Sequence, residues 1–474
     1  MTTSESRSVN SNESNPSRQA KARVILLTVG LGTMLSAMAG STVTLALPAI
    51  AKEMGVAIGE VSWVMLAFLL SVTVLLLIAG RAGDIFGHAR IYLTGFFLFG
   101  FSSYAAGASP DLSVLIVARV LQGISGAMIM ATSPALLTTS IDPSQRGKAL
   151  GILATGTYVG LTIGPSLGGA LIYGLSWRWI FYLNIPISII IFFMGLMFLP
   201  RSRKVNPTPF DIPGTLTLLI GLPLLLLAVG QGEQWGWLST KTVVLALAGL
   251  SLLILFVRIE MQQRFPLLNL KLFSSAVFTG SVISALCNYI ALFIQIILLP
   301  FYLMEALGVD AKEAGLVLTA QPFVMALVAS PSGWLSDRIG SRVLAVVGML
   351  VLTMGLMGLS SINSQSEITI VAFWLAVMGL GTGIFISPNS SALMGSAPKT
   401  QQGVAGSLLA VSRNFGMMAG VALSTTIFQA AGGSTGEAWQ TVDFQAMRLT
   451  FLFAAGFSLL GAVSAFAKTK KTAG

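Results

Sequence analysis

The sequence predicts an all-α integral membrane protein in which two six-helix bundles flank a two-helix insert, fourteen spans in all. Three observations predict it. The chain is 54% hydrophobic and only 9% charged, whereas a soluble chain carries about 25% charged residues, so water cannot solvate most of its surface. Its apolar residues fall into runs that can cross about 30 Å of hydrocarbon, a distance that takes roughly 20 helical residues. One loop sequence also occurs twice, in equivalent places of two six-run blocks.

Taken in order, residues 1–23 are polar, rich in Ser and Asn, and without an apolar core; they read as a disordered cytoplasmic tail and not as a cleavable signal peptide. Apolar runs follow near 24–50, 61–80, 91–108, 112–138, 150–173 and 179–199, giving a first bundle over 24–200. A Pro-rich linker and two further runs, 212–230 and 242–259, make an insert over 201–273; the second run is short and ends at Arg258. Runs near 276–304, 314–335, 343–361, 368–392, 403–430 and 449–467 make the second bundle, 274–467, and 468–474 is a basic tail. The 50 glycines and 18 prolines sit inside these runs, and membrane helices carry more of both than soluble helices do.

Lys and Arg accumulate on one side of such a topology. About twenty lie in loops on the side of the N-terminus, against five on the other side, Lys52, Arg178, Lys241, Lys312 and Arg448. Short cytoplasmic loops are the basic ones, so both termini are expected in the cytoplasm and the protein in the plasma (inner) membrane. The net charge of +10 is scattered among loops and gathers on no single face, which argues against a nucleic-acid partner. One cysteine, Cys287, and one histidine, His88, exclude an intrachain disulfide and a Cys/His metal cluster. No phosphate-binding loop of the form G-x-x-x-x-G-K-[ST] occurs, so an enzyme or a nucleotide-driven pump is not expected. No cofactor is expected either.

The repeated loop reads Gly80-Arg81-Ala82-Gly83-Asp84-Ile85-Phe86-Gly87-His88-Ala89-Arg90 after the second run. After the tenth it reads Gly333-Trp334-Leu335-Ser336-Asp337-Arg338-Ile339-Gly340-Ser341-Arg342. Glycines permit a tight turn and close helix approach, and an aspartate can pair with a neighbouring arginine or face a helix N-terminus. Repetition at equivalent places is what a two-fold transporter predicts. The expected gating residues are Gly80, Gly83, Asp84, Gly87 and Arg90, with Asp337, Arg338, Gly340 and Arg342 as counterparts.

With these loops in view, the sequence from about residue 24 to 467 resembles the fourteen-span drug:proton antiporter branch of the major facilitator superfamily. Further segments carry the likeness: Arg119-Val-Leu-Gln122-Gly123-Ile-Ser-Gly126, Gly160-Leu-Thr-Ile-Gly164-Pro165-Ser-Leu-Gly168-Gly169, and Trp177-Arg178-Trp179 through Asn184-Ile-Pro186. Asp142-Pro-Ser-Gln-Arg146-Gly147 and Arg413-Asn-Phe-Gly416 are similar as well. The resemblance implies a major-facilitator fold and proton-coupled efflux. It implies an antiporter motif at Gly160, Gly164, Pro165, Gly168 and Gly169, and an association of Arg119 with proton coupling.

The residues themselves allow the following. Small residues every fourth position present a flat helix face for close packing, and Pro165 removes a backbone hydrogen bond; Gly416 and Gly420 repeat the spacing in the second half. Arg119 lies about eight residues, on the order of 12 Å, into its span. A charge at that depth is costly and points to function, with a snorkelling arginine as the alternative. Glu305 and Asp84, at the ends of spans, are the remaining proton-coupling candidates. Relatives of this branch carry an aspartate in the first span where Ala39 stands here, and all 17 acidic residues fall in loops, tails or span ends. A cavity without a mid-depth carboxylate favours neutral, amphipathic or anionic cargo. Candidates to line it are Arg413, Asn288, Tyr289, Gln295 and Asn389.

The expected function is secondary active efflux of hydrophobic or amphipathic small molecules in exchange for protons, by a monomer in the lipid bilayer. The alternatives are an exporter dedicated to one neutral or anionic metabolite, and a transport-inactive sensor or assembly protein.

Overall fold

A computed structural model describes residues 16–140, 146–200, 211–263, 270–398, 402–433 and 443–466. Every regular element among them is helical. The first half comprises α1 (Pro16–Met54), the single turn α2 (Ile58–Val61), α3 (Trp63–Phe86), α4 (His88–Gly107), α5 (Leu112–Ser140), α6 (Arg146–Gly174), the turn α7 (Trp179–Tyr182) and α8 (Asn184–Phe198). The insert is the hairpin α9 (Ile212–Trp235) and α10 (Thr240–Gln262). The second half comprises α11 (Ala276–Phe301), which runs into a π-helical turn Tyr302–Ala306, and then α12 (Ala311–Ile339), α13 (Ser341–Leu359), α14 (Ile368–Ser396), α15 (Gln402–Ala430) and α16 (Phe444–Phe466).

Eleven of these segments are long and apolar enough to cross a membrane. The remaining long helices, α4, α6 and α15, have 20, 29 and 29 residues and are diluted by Gly, Ser and Thr. Pro sits inside α1, α5, α6, α9, α11, α12 and α14, a load that a water-exposed helix would not carry. The exposed surface is correspondingly greasy: Phe97, Phe101, Phe193, Met197 and Leu247 are each more than half exposed. In water such a surface would drive aggregation, whereas a bilayer solvates it.

The two halves are built alike. In the first, α6 packs along α1; in the second, α15 packs along α11. The α3/α4 corner turns on Gly87 at φ 99° and the α12/α13 corner on Gly340 at φ 93°. Both angles lie in the left-handed region that only glycine enters without strain, so the repeated loop sequence encodes a repeated turn. The insert is not a free appendage. Its α9 touches α3 of the first half and α15 of the second, while α10 packs on α9, and the Thr426 hydroxyl donates to the Val229 carbonyl at 3.4 Å.

We call the end where α1 begins basal and the other end distal. One buried apolar cluster joins the distal parts of both halves, from Val43, Leu45, Leu47 and Val64 to Leu298, Phe301, Ala314 and Val317, and continues within the second half along α13 and α16 to Ala345 and Ala465. Basal apolar residues divide instead. Ile25, Val29, Tyr92, Phe96 and Leu137 form a cluster wholly within the first half, and Leu272, Phe278, Leu393 and Leu408 form another wholly within the second. The halves are therefore fused distally and parted basally.

Candidate functional site: a distal seal, basal turns and two arginines

The distal join is made by α6 and α12, which run antiparallel there. The Ser166 and Thr319 hydroxyls hydrogen-bond across it at 2.7 Å. Gly169 lies against the Ala311 carbonyl and Gly315 against the Pro165 carbonyl, with no room for a Cβ at either, and the Leu45 side chain packs on both. The rest of the glycine stripe faces another way. Gly160, Gly164 and Gly168 pack on the backbone of α1 at Met34, Met38 and Thr42, and Gly156 extends the stripe by a turn, where a Cβ would come within 2.9 Å of the Gly30 carbonyl. The expected antiporter motif thus divides between two helix faces. Gly416 and Gly420 repeat the inner face: a Cβ on either would lie 2.8 or 2.7 Å from the carbonyl of Leu286 or Ile290 on α11. Sequence reasoning missed Gly315 and Thr319, because α12 carries no comparable stripe.

At the basal end Asp84 is about half exposed and pairs within its own loop, with Arg81 at 3.6 Å and His88 at 3.3 Å. Gly83 leaves room for the imidazole, since a Cβ there would lie 2.5 Å from Nδ1. His88 is half-buried and part of this cluster. Gly80 lies against α5 near Ala131, and Arg90 is exposed. In the second loop Arg338 stacks on Trp334 and Arg342 on Phe466, at 3.9 and 4.1 Å from the ring centroids. Asp337 belongs to the last turn of α12, and its side chain lies outside the described part of the structure. So do residues 142–145 of the Asp142–Gly147 motif, most of the linker after Pro200, and the two tails up to residue 15 and from 467.

Arg119 is 1% exposed. Its Nε donates to the Val64 carbonyl of α3 at 2.8 Å, an Nη donates to the Gln122 side-chain oxygen, and the guanidinium lies 4.3 Å from the Phe68 ring centroid. Gln122 in turn donates to Ser103 of α4 at 2.8 Å. The absent Cβ of Gly123 lets α5 approach the Phe68 carbonyl. Arg119 therefore ties α3, α4 and α5 together by satisfying carbonyl and amide oxygens, which is how a buried cation is held where no carboxylate is at hand.

Arg413 differs. It is half-buried and lies near Tyr289 of its own half and Tyr158 of the first. Its Nε has no hydrogen-bond partner.

Three of the expected lining residues are buried. Asn288 is fully buried and donates to the Met349 sulfur at 3.4 Å, inside the second half. Asn389 is 1% exposed and donates to the Ser281 carbonyl at 3.1 Å, tying α14 to α11. Gln295 is 2% exposed and donates to Gln321 of α12 at 3.0 Å. With the basal side parted, cavity walls would show some exposure, as Tyr289, Arg413 and Tyr158 do. Glu305 is half-buried in the distal π-helical turn. Ala39 is 2% exposed within the first half's basal cluster.

The Trp177-Arg178 segment also finds its place. The Trp177 indole donates to Glu53 at 2.7 Å, Arg178 pairs with the same carboxylate, and Arg178 donates to the Ser109 carbonyl at 3.3 Å. These contacts fasten the distal ends of α1, α4 and the α6–α7 loop.

The model of the Major Facilitator Superfamily matches residues 29–285 and 281–473, nearly the whole chain in two consecutive passes. The chain belongs to this family. As a member of a family of carriers, it is a membrane transporter and not an enzyme. Among characterised relatives, this major facilitator chain is 32% identical over 408 residues to the riboflavin transporter RibZ of Clostridioides difficile, covering 85% of this chain and 88% of that protein. It is 28% identical over 422 residues to the multidrug transporter MdtP of Bacillus subtilis, covering 89% and 78%. It is 29% identical to the tetracenomycin C resistance and export protein of Streptomyces glaucescens, covering 85% and 74%. Its fold matches a bacterial homologue of the lysosomal transporter Spinster, crystallised inward-facing and unoccupied, with a TM-score of 0.69 at 15% identity over 97% of this chain and all of that one. A peptide transporter bound to sulfate matches at 0.70 and 13% identity, covering 95% and 97%.

Proposed function

We propose that this transporter exports hydrophobic or amphipathic small molecules from the cytoplasm in exchange for protons, by alternating access between two six-helix bundles. In this reading fourteen helices span the membrane as six, two and six, both termini and the basal end are cytoplasmic, and the working unit is a monomer. The observation that carries it is the asymmetry of the core: one apolar cluster shared by both halves distally, and separate clusters basally. That arrangement fits a state closed to the outside and open to the cytoplasm, the state from which an exporter loads. The relatives named for multidrug transport and drug resistance supply the direction.

The parts then take roles. Ser166, Pro165, Gly169, Gly315 and Thr319 form the outer gate, which must separate and re-form in each cycle. The Gly87 and Gly340 turns with Asp84, Arg90, Arg338 and Arg342 are the inner gate, which meets the opposite half when the basal side closes. Arg119 transmits protonation changes through the Gln122–Ser103 chain, and Glu305 and Asp84 are the titratable groups at either end. The test is the purified protein in liposomes under an imposed pH gradient, offered ethidium, rhodamine 6G, fluorescein and riboflavin in turn. Substrate-dependent proton movement with at least one of them is expected. If none moves protons while the protein is folded and correctly inserted, the proton-coupled reading fails.

A second reading is a carrier dedicated to one planar metabolite. It is supported by the 32% identity to a riboflavin transporter, and movement of riboflavin alone in the same assay would favour it.

A further inference from the structure

The transporter reading leaves the cargo's charge open, and the mid-depth charges bear on it. Tyr158, Tyr289 and Arg413 lie 12, 13 and 11 residues in from the basal starts of α6, α11 and α15. At about 1.5 Å per residue this places all three near one depth, roughly 16–20 Å in, the middle of a 30 Å core. Tyr158 comes from the first half and the other two from the second, so the cluster straddles the cleft that separates basally.

A guanidinium carries five N–H donors. Tyr289 stands beside this set, and Arg413 Nε has no hydrogen-bond partner. A cation at that depth costs several kcal/mol unless something compensates it. None of the helices that carry the cluster can supply a carboxylate: between their ends α6, α11 and α15 contain no acidic residue. On the facing helices the acids sit at or near helix ends, Glu53 on α1, Asp84 on α3, and Glu313 and Asp337 on α12. Arg119 has the same lack of acid but is wrapped in carbonyl, amide and ring. Arg413 has no such wrapping, and its side chain is only partly buried.

We propose that Arg413, with the Tyr158 and Tyr289 hydroxyls, is the binding site for an oxyanion on the cargo, a carboxylate or phenolate carried by an apolar aromatic body. The guanidinium fork offers parallel N–H donors to two oxygens of such a group, the hydroxyls add further donors, and the tyrosine rings supply flat walls for the body. An organic cation would meet like charge with no acid to offset it. This proposal rests on the transporter reading and names the substrate class of that transporter's central site.

The test uses two xanthene dyes of opposite charge, fluorescein (anionic at pH 8) and rhodamine 6G (cationic), with binding to the purified full chain read by fluorescence anisotropy. Wild type is expected to hold fluorescein at least about tenfold tighter than rhodamine 6G. Arg413→Gln should bring the two affinities together, Arg413→Lys should fall between, and Tyr289→Phe should weaken fluorescein alone. Thermal unfolding of each variant establishes that it folds, and Arg413→Gln should bind rhodamine 6G more tightly than wild type, because the like charge is gone. A wild-type preference for rhodamine 6G, unchanged fluorescein binding in folded Arg413→Gln, or binding of neither dye by folded wild type would each overturn the proposal. Dye-driven proton movement in liposomes keeps the two claims apart. Movement with rhodamine 6G only would leave the transporter standing and remove the anion site; binding of fluorescein without movement of either dye would do the reverse.

Discussion

The distal and basal ends of this molecule are assembled from the same kinds of residue, glycine, serine and short apolar side chains, yet only one end is closed. Distally, α6 and α12 approach until backbone meets backbone at Gly169 and Gly315, and a hydroxyl pair bridges them. Basally, Asp84 pairs with Arg81 and His88 in the α3–α4 corner, and the apolar side chains of the two basal clusters pack within their own half. A tight glycine contact buries little side chain, so the α6–α12 contact itself can part without exposing large side chains, whereas the apolar cluster beside it is shared by both halves. Only the basal clusters belong to one half each.

The sharpest way to break this contrast is to fill the seal. Gly169→Leu or Gly315→Leu places a side chain where a neighbouring carbonyl already lies, and overpacking of this kind costs about 1–3 kcal/mol. Transport should fall by at least about tenfold, and cysteines introduced on the basal faces of α6 and α12 should become less reactive as the closed seal is disfavoured. Gly151→Leu, at a basal position of α6 with open space beside it, should leave transport within about twofold of wild type.

Next comes the core of a single half. Arg119→Ala leaves the Val64 carbonyl and the Gln122 amide without their buried donor, at a cost of about 3 kcal/mol read from thermal or denaturant unfolding. Arg413→Ala, which removes a partly open side chain, should cost under about 1 kcal/mol. Equal losses from the two would contradict the distinction drawn between them. Between these two lie the corners: Gly87→Ala and Gly340→Ala each force an L-residue to φ near the observed 99° and 93°, at about 1–2 kcal/mol apiece. The two values should agree, because the turns repeat. The smallest effect belongs to Glu53→Gln, which weakens an exposed distal ion pair by less than about 1 kcal/mol.

Much of this architecture is legible in the chain. Hydrophobic runs mark the helices, since a span has few ways to hide from a periodicity of twenty apolar residues. The paired loops mark the repeat, because a left-handed turn needs glycine at one place. The α6 stripe is legible as a packing face, but not as two faces, because Gly168 and Gly169 are neighbours that point to different partners. Asn288, Gln295 and Asn389 are not legible as internal ties. A polar side chain in an apolar span satisfies itself equally well towards a cleft or towards another helix, and helical phase does not choose between them. Gly315 and Thr319 lie in a helix with no motif of its own and gain meaning only opposite Pro165 and Ser166.

The claim that matters most is that the α6–α12 contact opens in every transport cycle. Ser166→Cys with Thr319→Cys, whose native hydroxyls are 2.7 Å apart, can be joined by mild oxidation or a short bifunctional thiol reagent in a Cys287→Ser background. Joining them should stop dye-dependent proton movement in liposomes, and reduction of the disulfide should restore it. Transport at the wild-type rate with the cross-link complete would contradict the account.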